Sequence, residues 1–290
     1  MRSFRTSGNG ISLNVLEWPA ANGAPALPTV LLLHGFMDAA ATWDLVAPAL
    51  ADRGHRVLAP DLRGFGESDA VPLGGYYHFP DYVADVARLV TDHVEGPLHL
   101  VGHSMGGTVA TLYTGARPER VTKLAVLEGI GPPDHPYEAA PVRMRRWLHE
   151  LDHQPPHGTA AKSMTNADAL ARLKTNHARI DDTVLRSRLV HLTRAVTGGG
   201  LAWRFDPLHR TTSPMPFFSK VFEAFARSIT CPVLYGSGGP RGYRTPDEDE
   251  RLAAFANLTR VDLPDAGHMM HWTAPDQLIA TLGEFLRSTP

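Results

Sequence analysis

Short unbroken apolar runs take turns along this chain with longer stretches whose apolar positions recur every three or four residues. Ile11–Leu16 is partly alternating and reads as an early strand. Thr29–Leu33, Arg56–Ala59, Leu98–Val101, Leu124–Leu127, Pro232–Tyr235 and Thr259–Leu263 have the length of strands buried on both faces. Ala41–Ala51, Pro80–Val94, Thr108–Gly115, Asp247–Ala256 and Pro275–Leu286 read as helices between them. In the second of these, Tyr82, Val83, Val86, Leu89 and Val90 fall at helical spacing. Strands that alternate with helices predict an α/β fold, a mostly parallel central sheet with helices on both faces. In such sheets functional residues gather at the carboxyl ends of the strands.

The alternation stops after Leu127. From about Pro133 to Pro216 the chain is rich in Arg, His and Pro and reads as helix and loop. Met144–Leu148, Ala167–Leu173 and Asp182–Leu192 are helical candidates, and Gly198-Gly199-Gly200 breaks the chain before Leu201–Asp206. The expected organisation is therefore a core of residues 1–132 and 217–290 with a helical cap, 133–216, inserted over the strand ends. Trp147, Trp203 and Phe205, with Phe217 and Phe218, are candidates to line an apolar substrate pocket beneath that cap. The same side chains would also serve to glue cap to core.

Composition narrows the classes. A chain of 290 residues with 43% hydrophobic and 20% charged residues can bury a sizeable core. The net charge of -2, with no basic stripe or polybasic run, argues against nucleic acid and anionic membrane surfaces as partners. The apolar runs are far too short to span a bilayer, and Met1–Thr6 lacks the apolar region of a secretory signal. Cys231 is the single cysteine, so no internal disulfide can form, and it reads as a buried structural thiol. A cytoplasmic location is the expectation. Most of the fifteen histidines need no functional role; His153 and His157 read as solvated.

The chemistry is concentrated in four strand-end segments. Gly102-His103-Ser104-Met105-Gly106 is a G-x-S-x-G pattern between an apolar run and a helical one. That context predicts a sharp strand-to-helix turn that pushes the Ser104 hydroxyl above the sheet, with only small residues fitting at 102 and 106. His34-Gly35-Phe36-Met37 follows the Thr29–Leu33 strand, and its turn can aim the Phe36 amide at a developing oxyanion. The Met105 amide would be the second donor. Asp61–Ser68 could suggest a catalytic aspartate or a phosphate loop. It lacks the G-x-x-x-x-G-K-[ST] pattern and precedes the serine, so a structural role in holding its own loop is expected. His268, just after Gly267, is the candidate base. Pairing it with His271 on a metal lacks the carboxylate and helix of a zincin motif, so no metal or cofactor is expected.

A serine–histidine pair needs a carboxylate on the second ring nitrogen to fix the tautomer. The turn after Tyr235, Gly236-Ser237-Gly238-Gly239, carries none. Glu128, at the end of the strand that follows the serine, is long enough to reach the same histidine; Asp247 and Asp249 remain alternatives.

Together, His34-Gly35-Phe36, Asp61–Ser68, Gly102–Gly107 and Gly267-His268 resemble the α/β-hydrolase superfamily, and within it the serine hydrolase-like proteins. The segment Tyr76–Val86 is similar to the one before their nucleophile. Arg120–Glu128 also resembles haloalkane dehalogenases, some of which carry their acid after this same strand, which favours Glu128. Those enzymes use aspartate followed by tryptophan where this chain has Ser104-Met105, so dehalogenation and epoxide opening through an aspartyl ester are not expected. The resemblance implies the α/β-hydrolase fold and a Ser-His-acid triad but does not fix the substrate; a small apolar acyl substrate such as a carboxylic ester is the leading expectation. Carbon–carbon bond hydrolysis, lyase or perhydrolase chemistry on the same triad, or a ligand-binding receptor with little turnover, are the alternatives.

Overall fold

A computed structural model of the protein describes residues 1–21, 27–154 and 162–287, and eight of its strands form one sheet. In chain order these are β1 (Arg2–Ser7), β2 (Ser12–Trp18), β3 (Thr29–Leu33), β4 (Val57–Pro60), β5 (Leu98–His103), β6 (Val121–Leu127), β9 (Val233–Ser237) and β10 (Leu258–Asp262). Their order across the sheet is β1-β2-β4-β3-β5-β6-β9-β10. From β4 to β10 every pairing is parallel; β2 runs antiparallel to both β1 and β4.

The central strands are buried on both faces, so alternate residues feed two cores. Leu31, Leu33, Leu98, Leu100, Leu124 and Val126 point into one. It is closed by α2 (Phe79–His93), α3 (Met105–Ala116), α7 (Ser219–Arg227) and α8 (Glu248–Leu252). Val30, Leu32, Val101, Ala125 and Leu127 point into the other, closed by α1 (Val46–Asp52) and α10 (Pro275–Arg287). Tyr82, Asp85, Val86, Leu89 and Val90 form the buried face of α2 at the spacing of one helical stripe. No described helix is long and apolar enough to cross a membrane.

Three differences from the sequence expectation have physical causes. β1 is mostly exposed and polar, so no apolar pattern announces it; its hydrogen-bonding edge is satisfied by β2. The expected Ala41–Ala51 helix is split into a short 3-10 turn, Ala40–Trp43, and α1. Pro48 lacks an N–H and its ring would meet the carbonyl four residues earlier, so it is tolerated only in a first turn. The helix α7, absent from the expected elements, is short and follows two phenylalanines, and it buries Phe222 and Ala226 against the core.

Between β6 and β9 the chain leaves the sheet. It forms α4 (Ala140–Asp152), α5 (Asn166–Asn176), α6 (Asp182–Leu192) and a separate ribbon of β7 (Thr193–Ala195) with β8 (Leu201–Trp203). Leu170, Leu173, Leu185 and Leu189 make a small core of their own that also takes in Met269 and Trp272. Trp272 belongs to α9 (Met270–Thr273), a single turn just beyond His268. His153 caps the end of α4, and His157 lies outside the described residues.

The Asp61–Ser68 loop is fastened to α2 by Arg63, whose Nε and Nη2 donate to the two Asp85 carboxylate oxygens at 2.6 and 2.7 Å. Both side chains are buried, at 5% and 1% exposure. Removing one member of such a pair strands the other charge. Asp85→Ala is expected to lower unfolding free energy by about 3–5 kcal/mol. Urea denaturation would measure it, and a loss under about 1 kcal/mol would show that the pair does not hold this loop.

Candidate active site

Ser104 sits between β5 and α3 with φ 51° and ψ −119°. A side chain held in this region stores strain, which persists only where surrounding structure enforces it. Here the enforcement is backbone crowding. A Cβ on Gly102 would lie 2.3 Å from the Gly106 carbonyl oxygen, and one on Gly106 2.4 Å from the Leu33 carbonyl oxygen. Across the turn, Gly107 and Gly129 meet so closely that a Cβ on either would fall within 3 Å of the other's backbone.

Among the described residues, two further non-glycine residues have positive φ, Met37 at 56° and Glu128 at 48°. They follow β3 and β6, the strands on either side of β5. All three strained positions therefore lie at the carboxyl ends of adjacent strands.

His268 bridges two of these ends. The Ser104 hydroxyl lies 3.1 Å from His268 Nε2, and His268 Nδ1 lies 2.8 Å from Glu128 Oε2. A carboxylate accepts hydrogen bonds, so Nδ1 carries the proton and Nε2 presents its lone pair to the serine. The His103 ring donates from Nε2 to the His268 carbonyl at 2.8 Å, fixing the backbone of the loop that carries this histidine. Burial holds the His103 pKa well below its ordinary value, so no second positive charge stands behind His268.

The glycine-rich turn after β9 receives Glu128. The backbone N–H of Gly238 donates to Oε1, and that of Tyr243 donates to Oε2 at 2.7 Å. Gly238 and Gly242 also clear the space: a Cβ at 242 would lie 1.9 Å from Oε1 and one at 238 2.9 Å from it. The other carboxylates considered lie elsewhere. Asp247 pairs with Arg251 at 2.8 Å, and Asp249 is 84% exposed beside Arg244 and Arg260.

Phe36 and Met105 supply backbone amides on the two turns that flank Ser104. Among the described residues neither N–H has a protein acceptor outside its own element. His34 ties the Phe36 turn down: its Nδ1 donates to the Gly35 carbonyl at 2.8 Å, and its Nε2 accepts from the Leu62 amide at 2.9 Å. Asp61 is buried and accepts from the amides of Ala40 and Glu67 and from the Asn14 side chain. Burial raises its pKa. It ties its own loop to the Ala40 turn and to β2, and it makes no hydrogen bond to His268.

Asp38, His103 and His271 each offer a ligand atom within 4.8 Å of the others. His271 does not join His268 in a ligand pair; its Nε2 is 2.9 Å from Asp38 Oδ2, behind the site. Burial opposes ionisation of Asp38, but the hydrogen bond from His271 holds its pKa below the usual range. Asp38 in turn accepts from Thr42, so this cluster serves as a brace under the Phe36 turn.

Ser104, Met105, Phe36 and Glu128 all open onto a cavity of about 1080 Å³ with a mainly apolar lining. Phe217 and Phe218 line it, but Trp147, Trp203 and Phe205 do not. Trp147 packs edge-on against Tyr76, with ring centroids 5.5 Å apart, and Trp203 stacks on Phe205 at 6.0 Å. Phe205 bridges to Phe65 of the Asp61–Ser68 loop. These three are consumed in joining the inserted segment to the core. The aromatic wall instead comes from Phe79 on α2 and Phe222 and Phe225 on α7. Sequence reasoning passed over them; Phe222 and Phe225, three apart on one helix face, were the available signal.

The alpha/beta hydrolase fold family matches residues 28–275 of this chain. Epoxide hydrolase A of Mycobacterium tuberculosis is 28% identical, with 96% of this chain and 95% of that protein covered. An sn-1-specific diacylglycerol lipase of Mus musculus is also 28% identical, over 93% of this chain and 85% of its own. Among solved structures, the thioesterase domain from the curacin biosynthetic pathway superposes with a TM-score of 0.81 at 24% identity, covering 100% of this chain and 99% of its own.

One wall of the cavity should make the fold acid-sensitive. His209 stacks on Phe65, centroids 4.0 Å apart, and burial lowers its pKa to about 3. The unfolded histidine protonates near pH 6.5, so stability is full above that and falls as the pH drops towards 3, by about 1.4 kcal/mol per unit. His209→Phe keeps the ring stack and removes this proton. Its urea midpoint should fall less steeply than the wild-type midpoint between pH 7 and pH 5; equal slopes would contradict the assignment.

Proposed function

Since the chain belongs to the α/β-hydrolase fold family and has hydrolase relatives, we propose that it is a serine hydrolase that cleaves a carboxylic ester or related acyl substrate. The observation that carries this reading is the continuous hydrogen-bond series from Ser104 through His268 to Glu128, opening on an apolar cavity.

His268 Nε2 takes the hydroxyl proton as Ser104 Oγ attacks the substrate carbonyl carbon. The carbonyl oxygen gains negative charge, and the amides of Phe36 and Met105 stabilise it. Glu128 holds the ring in the tautomer that leaves Nε2 free, and it stabilises the imidazolium that forms. His268 returns the proton to the leaving alcohol, which departs as the acyl–Ser104 ester remains. A water molecule, deprotonated by His268, then attacks that ester. The acid is released and Ser104 regains its proton.

Glu128 suits the role of orienting acid because the two amides from the turn after β9 hold its carboxylate in place. Asp247 and Asp249 are each paired with arginine, and neither hydrogen-bonds the histidine. The inserted segment is proposed as a cap that covers the alcohol side of the substrate.

Ser104→Ala should abolish hydrolysis of p-nitrophenyl butyrate and labelling by a fluorophosphonate probe. Glu128→Gln should cut kcat by up to ~10⁴, the scale on which a lost orienting carboxylate acts. Asp247→Asn should leave kcat/KM within about threefold, because Asp247 pairs with Arg251 and makes no hydrogen bond to His268. A folded wild-type protein that neither labels nor turns over any ester would sink the proposal. Loss of activity in Asp247→Asn but not in Glu128→Gln would overturn the choice of acid.

A further inference from the structure

The cavity is larger than a small ester requires, and its two ends differ in chemistry. Ligand sites for molecules of drug size usually run to about 1,000 Å³; this one is about 1080 Å³. At one end Tyr76, His135, Arg143, Thr211 and Ser213 supply polar atoms. Those residues lie before α2 and in the segment after β6. Arg143 is held there by the Ser213 carbonyl, 3.1 Å from Nη2.

The other end follows a helix. Ser104, Thr108, Leu112 and Ala116 all line the cavity, and they fall at i, i+4, i+8 and i+12 along one face of α3. At 1.5 Å per residue, the lined face runs about 18 Å from the serine. Val83 of α2 and Val221, Phe222 and Phe225 of α7 form its walls. The far end is fixed by close packing of α7 on α3, where a Cβ at Gly115 would meet the Phe225 carbonyl oxygen at 2.4 Å. Ala116 is exposed and leaves this end open to solvent.

We infer that the substrate is a long-chain acyl ester, with its acyl tail laid along α3 between α2 and α7 and its polar alcohol portion towards Arg143. This deepens the serine-hydrolase reading and rests on it. An extended alkyl chain, a zigzag of ~1.5 Å bonds, advances about 1.25 Å per carbon, so the arm holds about fourteen carbons. Leu112, about 12 Å along, marks the depth of about ten carbons. Each methylene removed from water there favours binding by a factor of up to about four. Beyond about fourteen carbons the tail leaves the open end, and the gain stops.

The test is a series of p-nitrophenyl esters from C2 to C18, below their micellar concentrations, with kcat/KM for each. The wild type should rise steeply to about C14 and then level off. Leu112→Trp fills the arm midway, so the ratio of kcat/KM for C14 to that for C4 should fall at least tenfold. Ala116→Trp, at an exposed position that folding tolerates, should lower the C16-to-C10 ratio while moving the C10-to-C4 ratio much less. A flat profile beyond C4, or unchanged ratios in both variants, would overturn the inference while leaving ester hydrolysis standing. A readout free of turnover separates the two further. A fluorescent long-chain fatty acid should bind Ser104→Ala with micromolar affinity, and Leu112→Trp in that background should weaken it at least tenfold. Absence of binding would likewise overturn the long-chain assignment, even if short esters are hydrolysed.

Discussion

The site depends on one steric constraint, the approach of three backbones around the turn after β5. Gly102 and Gly106 let the strand reverse into α3 without a side chain in the way, and Gly106 presses against the end of β3. Gly107 and Gly129 bring the helix start against the loop after β6. This crowding leaves Ser104 no relaxed conformation, which is why a residue with a Cβ is held at φ 51°. It also sets the distances among three loops at once, since each is packed against the others through main-chain atoms that cannot rotate away.

Everything polar in the site is then a matter of which strand end supplies it. The β3 end gives the Phe36 amide, stiffened by His34 and by the Asp61 network beneath it. The β5 end gives Ser104 and the Met105 amide. The β6 end gives Glu128, itself strained at φ 48°. The β9 end gives no carboxylate, only two amides and room for Glu128, while the segment after β10 brings His268 across the top. Buried polar groups cost stability unless bonded, and here each bond also aims a reactive atom.

Much of this was legible in the sequence because it depends on local chain geometry. Glycines two places either side of Ser104, and the small residue before His268, report backbone demands that any fold containing them must meet. Glu128 could be favoured, since the turn after Tyr235 lacks a carboxylate and Arg120–Glu128 resembles dehalogenases that carry their acid there, but Asp247 and Asp249 stayed open. The strands were readable because burial on both faces makes them continuously apolar. The cavity wall was not readable in the same way. Trp147, Trp203 and Phe205 look as suitable for a pocket as Phe79, Phe222 and Phe225, and only the packing of distant helices decides which rings face the ligand and which join segments. β1 escaped notice for the opposite reason: its pairing rests on main-chain bonds that leave no mark on side-chain hydrophobicity.

The bed made for Glu128 by Gly238 and Gly242 bears on how such a site can change through descent. The space beside His268 Nδ1 holds one carboxylate, rooted after β6 and received by the turn after β9. An aspartate arriving at position 238 or 242 would enter the volume that Glu128 fills, and two anions there would repel. Loss of Glu128 before such an arrival would leave the Gly238 and Tyr243 amides buried with no acceptor. Glycine at 238 and 242 and glutamate at 128 therefore stand or fall together: a side chain at either glycine evicts the carboxylate, and loss of the carboxylate strands the amides.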